Sequence, residues 1–210
     1  MDSVRYNVIE MMRRARKEVV LTSPYLVPGV DGMEVFRNSV ERHGVKFTLI
    51  TNSLAATDEP VVHTGYRRYR PDLLKLGMNL YELSPQKVSR SLRLGRFSSS
   101  IGRLHAKSAV VDGERVFIGS LNFDPRSQQH NTEFGLFIQS PQIAQQVLKL
   151  GDVIRQQGAY RVTLAENGKD LVWTTSGPGG VEQIVEEPEA DAWTRFMLEV
   201  LSVLVPEGLL

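Results

Sequence analysis

HAKSAVVD, residues 105–112, sets a histidine, a lysine and an aspartate into eight residues that otherwise read as a buried strand. Ala106, Ala109, Val110 and Val111 are small or branched apolar residues, suited to an enclosed pleated surface. A strand that only fills a core has no use for His105 and Lys107. Side chains alternate along a strand, so these two point to one face. An imidazole and an ammonium side by side suit a phosphate. The lysine neutralises non-bridging oxygens, and the histidine can attack phosphorus or protonate a leaving oxygen near neutral pH. Asp112 with Gly113 also suits the turn into the next strand. Asp112 is therefore a candidate site residue that orients neighbours rather than one that takes part in the chemistry.

Beyond the next strand comes GSLNFDPRS, residues 119–127. Gly119 permits close approach of backbone to a ligand. Ser120 and Asn122, two apart, can aim a hydroxyl and an amide to one side. Glu133, in NTEFG, opens a further strand and is placed to accept a hydrogen bond from a ring nitrogen of His105, fixing its tautomer. Each element alone has an ordinary reading as polar loop or edge acid. The combination does not: H-x-K-x4-D arises by chance in roughly one chain of this size in a hundred. Adding Gly-Ser-x-Asn at its offset lowers that to roughly one in a million.

Outward from this stretch, apolar spacing predicts a helix over 4–17, a buried strand Glu18–Ser23, and a helix over 31–43 capped by Asp31. A strand Val45–Thr51, a helix over 58–76 and a strand Met78–Leu83 follow, with Gly44 and Gly77 where helices stop. Such alternation predicts an α/β fold: a mixed, largely parallel sheet flanked by helices. Further strands are expected at Leu104–Val111, Arg115–Ile118 and Asn131–Ile138, then a helix over 141–157. Tyr160–Ala165 and Asp170–Thr175 flank Asn167-Gly168, a hairpin signal. A last helix over 190–204 carries Trp193, Phe196, Met197, Val200 and Leu201 on one face, expected to dock on the core rather than on a membrane surface.

At 210 residues the chain is expected to form one domain. Its net charge of +1 gives no global pull toward nucleic acid. Cysteine is absent, which excludes disulfides and thiolate chemistry. No apolar run reaches the length of a membrane span, and the N-terminus lacks the apolar stretch of a signal peptide. Residues 84–103 hold five cations (Lys87, Arg90, Arg93, Arg96, Arg103) and no acid. They read as a flexible basic loop that faces phosphate, with Arg103 as a candidate substrate contact. From Glu182 to Glu199, six acids face Arg195 alone.

HAKSAVVDGERVFIGSLN resembles the HKD signature of the phospholipase D superfamily, nearest to the bacterial cardiolipin synthase branch and its C-type members. LTSPYLVPG, TNSLAATDEPVVHTGYRRYRPDLLKLG, FDPRSQQHNTEFG and LVPEGLL also look like that branch, so the resemblance spans the chain. It implies a phospholipase D-like α/β/α sandwich and phosphatidyl transfer through a phosphohistidine, without metal or other cofactor. By that resemblance His105 is one of two histidines. Lys107 and Asn122 hold phosphoryl oxygens, Ser120 supports the site and Glu133 orients His105. The branch has two HKD elements, whereas His43, His63 and His130 each lack a lysine two residues on. The expectation is therefore a C-terminal half of a longer protein, completed by a second HKD half or by a second copy. Implied partners are anionic and zwitterionic glycerophospholipids, not nucleic acid, and the implied location is the cytoplasmic face of the inner membrane. Tyr25 and His63 fall in matching segments and are candidate substrate contacts, each with an ordinary core-packing alternative.

Overall fold

The computed structural model describes residues 3–91, 102–124, 132–177 and 180–204. In chain order the elements are α1 (Val4–Arg13), β1 (Glu18–Thr22), α2 (Gly29–His43), β2 (Lys46–Asn52), α3 (Pro60–Lys75), β3 (Asn79–Leu83) and α4 (Pro85–Arg90). There follow β4 (Ser108–Val111), β5 (Arg115–Gly119), β6 (Gly135–Gln139), α5 (Pro141–Val153), β7 (Ala159–Leu164), β8 (Leu171–Gly177), β9 (Gly180–Ile184) and α6 (Ala192–Leu204). A π-helical turn, Ile154–Gly158, extends α5.

The strands form one mixed sheet in the order β6-β5-β4-β1-β2-β3-β7-β8-β9. The expected α/β class and mixed sheet are present, but the sheet is not largely parallel. Among the described residues only β1–β2 and β2–β3 pair parallel; the other six strand pairings are antiparallel. Parallel neighbours need a crossover helix, which α2 and α3 supply; the short links β4–β5, β7–β8 and β8–β9 allow only antiparallel hairpins.

Strand alternation divides the core into two layers. Val19, Leu21, Phe47, Leu49, Leu80, Ala109, Val111 and Phe117 face α1, α2 and α3 in the larger cluster. Val20, Val110 and Val116 face α5 on the opposite side, packing with Ala144 and Val147. Ile50 packs there with Val88 of α4 and Ile154.

Gly44 ends α2 at φ 64°, and Gly77 follows α3 at φ 79°, as the sequence predicts. Asp31 is not the cap of α2: the helix starts at Gly29, and Asp31 sits in its first turn, 3.5 Å from Arg5. The basic loop is helical over Pro85–Arg90, because the Ser84 hydroxyl accepts from Lys87 N (3.0 Å) and Pro85 opens the helix. Its residues 92–101, with Arg93 and Arg96, lie outside the described residues, as do 125–131, which include His130, and the final 205–210.

The apolar face of α6 does not dock on the core. Leu198 is buried, but Trp193 and Phe196 are 68% and 57% exposed, and Met197 and Val200 are also exposed. The surface of α3 that meets α6 is polar, and the helix is held there by Arg67–Glu199 (2.7 Å) and by Arg68 donating to the Ser202 carbonyl (2.6 Å). Ion pairs and a backbone acceptor thus fix its rotation.

Candidate active site

Because β4 runs antiparallel to β1, its start at Ser108 lies beside Thr22, at the C-terminal end of β1. The end of β5 and the start of β6 meet at the same edge, Gly119 opposite Gly135. Chain leaving β1, β2 and β5 and chain entering β4 and β6 thus converge there, as ligand sites do in α/β sheets. His105, Lys107, Ser120 and Glu133 all stand on this edge.

His105 and Lys107 lie in extended chain just before β4 rather than within it. Strand alternation therefore does not apply, but the two residues touch. Lys107 Nζ donates to the His105 carbonyl (2.9 Å) and stands 3.4 Å from His105 Nδ1. His105 is exposed while Lys107 is buried. Burial pulls the lysine below its ordinary pKa, against Asp58, Glu133 and Asp124, whose carboxylates pull it up.

Asn52 at the end of β2 holds the residue before His105: Leu104 N donates to its Oδ1 (2.9 Å) and its Nδ2 donates to the Leu104 carbonyl (3.2 Å). Glu133 receives the Ser120 hydroxyl rather than a ring nitrogen of His105, and Ser120 Oγ also accepts from Phe134 N (2.9 Å). Asn122 is near in sequence but makes no hydrogen bond to His105 or Lys107. Its Oδ1 is buried without a partner among the described residues. Gly119 serves strand packing, not ligand approach: a Cβ there would run into the Phe134 carbonyl and the Phe117 ring.

Asp112 is removed from the site. It stands at the far end of β4, about 20 Å along the chain from His105 at strand rise. With φ 56° it turns back to accept from Arg16 N (3.0 Å), Lys17 N (2.8 Å) and Glu18 N (3.2 Å), and Arg115 pairs with it at 2.6 Å. Partial burial raises its pKa, but those N–H donors and Arg115 outweigh burial and hold it below the usual carboxylate value. It ties the α1–β1 turn to the sheet.

His63 sits in a buried polar cluster of its own. It is buried on α3 with Nε2 2.8 Å from Arg70 Nη2, so this nitrogen accepts and the ring is neutral. Burial first, then Arg70 and Arg67, push its pKa well down. Arg70 is fully buried between Glu82 (3.5 Å) and Glu187 (2.6 Å), and Glu82 also receives Tyr66 OH and Trp173 Nε1, both at 2.7 Å. Arg103 is exposed, two residues before His105.

Tyr25 packs, partly buried, against the core. Its hydroxyl donates to Asp58 Oδ1 (2.7 Å). Asp58, Asp124 and Asn52 are members of the site that the sequence reading missed. The only signal was polar residues just past strand ends, in TNSLAATD and FD. Among the described residues no group of three or more His, Asp or Glu side chains is placed to hold a metal ion.

A family model described as cardiolipin synthase, PLD-like domain, matches residues 8–150. The chain is 37% identical over 205 residues to cardiolipin synthase C of Escherichia coli (strain K12), which covers 97% of this chain and 43% of that protein. It is similar in structure to Nuc from Salmonella typhimurium, a phospholipase D family member. The TM-score is 0.59 at 18% identity, over 77% of this chain and 92% of that one. It is also similar to phosphatidylserine synthase of Haemophilus influenzae Rd KW20. There the TM-score is 0.59 at 14% identity, over 96% of this chain and 41% of that one. At these identities the two structures speak for the fold alone. The chain spans less than half the length of the curated relatives it matches. With the family model matching most of its length and the His105–Lys107 element at its sheet edge, this chain belongs to the cardiolipin synthase, PLD-like domain family.

Proposed function

We propose that the chain supplies one histidine-bearing half of a phosphatidyltransferase site that acts on glycerophospholipids at a membrane surface. The observation that carries this reading is the contact of Lys107 with His105, Nζ 3.4 Å from Nδ1, at the sheet edge where the strand ends converge. In the proposed reaction a histidine of the second half attacks phosphorus, forming a P–N bond as the P–O bond to the headgroup alcohol breaks. His105, as an imidazolium, gives a ring proton to that leaving oxygen and is left neutral. It then takes a proton from the incoming alcohol, whose oxygen bonds phosphorus as the P–N bond breaks. Lys107 stabilises the charge on the phosphoryl oxygens, with Asn122 as the proposed second donor. Glu133 acts through Ser120, and its carboxylate also bears on Lys107.

The likeness to Nuc makes a nuclease-like phosphodiesterase, complete as a homodimer, the second reading. Three carboxylates around Lys107 (Asp58, Glu133 and Asp124) disfavour a polyanion such as DNA. The test is to give the chain, alone and with a second HKD half, mixed phosphatidylglycerol and phosphatidylethanolamine vesicles, and in parallel plasmid DNA. Cardiolipin formation is expected. DNA cleavage without lipid product would overturn the proposal in favour of the nuclease.

A further inference from the structure

α6 is anchored by one side and leaves the opposite side bare. Asp191 Oδ1 accepts from Thr194 N (2.6 Å) and caps its first turn. Arg195 pairs with Glu186 (2.9 Å), Glu199 pairs with Arg67 (2.7 Å), and Leu198 is buried. With the Ser202 carbonyl held by Arg68, these contacts fall on one side of the helix. Trp193, Phe196, Met197 and Val200, three to four residues apart, share the other side and are exposed. The Trp193 and Phe196 ring centroids are 5.9 Å apart, so the two rings form one continuous apolar plate. Neither Arg195 nor Glu199 falls on that side. The helix is thus folded and fixed in rotation before anything covers its apolar face.

We propose that this face is a membrane-docking surface: α6 lies along the bilayer boundary and inserts Trp193, Phe196, Met197 and Val200 among the lipids. The proposal deepens the phosphatidyl-transfer reading, in which the substrates lie in a bilayer. Area favours lipid over a protein partner. The four side chains offer on the order of 400 Å², about half of the ~800 Å² per partner that a stable protein interface needs. Shallow insertion of an aromatic and aliphatic stripe needs no such area, and tryptophan favours the headgroup boundary. With 13 residues, α6 is about 20 Å long against a hydrocarbon core of about 30 Å, so it lies on the bilayer rather than through it. With no charge on the inserted face, attachment does not depend on salt.

Trp193 supplies its own readout. It is 68% exposed, whereas Trp173, the chain's other tryptophan, is buried. The test mixes the whole chain with vesicles of phosphatidylcholine, and of phosphatidylglycerol with phosphatidylethanolamine. Each is measured in low salt and in about 1 M salt, where charges are screened within ~3 Å. The chain is expected to sediment with both vesicles at both salt levels. Trp193 emission is expected to shift to the blue and to be quenched by lipids brominated on their acyl chains. Phe196→Ser combined with Val200→Ser, both at exposed positions, is expected to lower the partition coefficient about tenfold or more, with circular dichroism unchanged. Quenching of the wild type decides the matter alone should that variant fail to fold. Absence of binding would overturn the inference. So would binding that disappears in high salt without a blue shift, which would assign attachment to the basic stretch before His105. A blue shift that grows with chain concentration in the absence of lipid would overturn it in favour of a second copy. Salt-independent insertion by a chain whose assembly transfers no phosphatidyl group would leave the inference standing and overturn the transferase reading.

Discussion

Asp112→Asn separates a structural aspartate from a catalytic one. The change keeps the side chain's shape and its tolerance of positive φ, and removes the charge. Asp112 is 10% exposed and accepts three backbone N–H groups and the Arg115 guanidinium. A hydrogen bond to a charged acceptor contributes about 1.5–3 kcal/mol, and the backbone donors can retain a weaker partner in the amide. The expected net loss is about 2–3 kcal/mol, or a Tm lower by roughly 4–12 °C in a chain of this size. Urea unfolding followed by the fluorescence of Trp173 and Trp193 measures it. The pH dependence has a definite sign. The folded carboxyl lies below its ordinary value of 3.8, so its contribution is complete above about pH 4 and disappears as pH falls through the lower folded value. The gap between wild type and variant should therefore close in acid. Turnover per folded molecule should stay at wild type, because Asp112 and His105 stand at opposite ends of β4. Unchanged stability with lost turnover would refute the reasoning.

Glu133→Gln should lower turnover about ten- to a thousandfold with little loss of stability, since it removes charge from the Ser120 and Lys107 environment and keeps the shape; steady-state kinetics on the assembled enzyme checks this. Asn52→Ala should release Leu104 and displace His105, costing about a hundredfold in turnover, with circular dichroism confirming the fold. Arg70→Met leaves Glu82 and Glu187 buried without their cation, and should cost about 3–5 kcal/mol in denaturant unfolding.

The elements with local signals were legible. Amphipathic spacing found α1, α2, α3, α5 and α6, and Asn167-Gly168 found the β7–β8 hairpin, with Gly168 at φ 66°. What failed depended on partners distant in sequence. β9 shows no alternation because it is exposed on both faces at the sheet edge. The stripe on α6 announced an apolar face but could not say that Arg67 and Arg68 would turn it outward. His105 and Lys107 were legible because they stand two residues apart. His63 was not: Arg70 lies two turns along the same helix, but the burial of the pair and the Glu82 and Glu187 that hold Arg70 come from distant parts of the chain. Asp58 and Asn52 gain meaning only where strand ends converge, a relation no local pattern carries.

The most direct measurement is cardiolipin formation on phosphatidylglycerol and phosphatidylethanolamine vesicles by this chain assembled with its second HKD half, comparing wild type with His105→Ala. The proposed account predicts a variant that folds as wild type and whose turnover is lost, by about a thousandfold or more. A folded His105→Ala retaining more than about a tenth of wild-type turnover would contradict it.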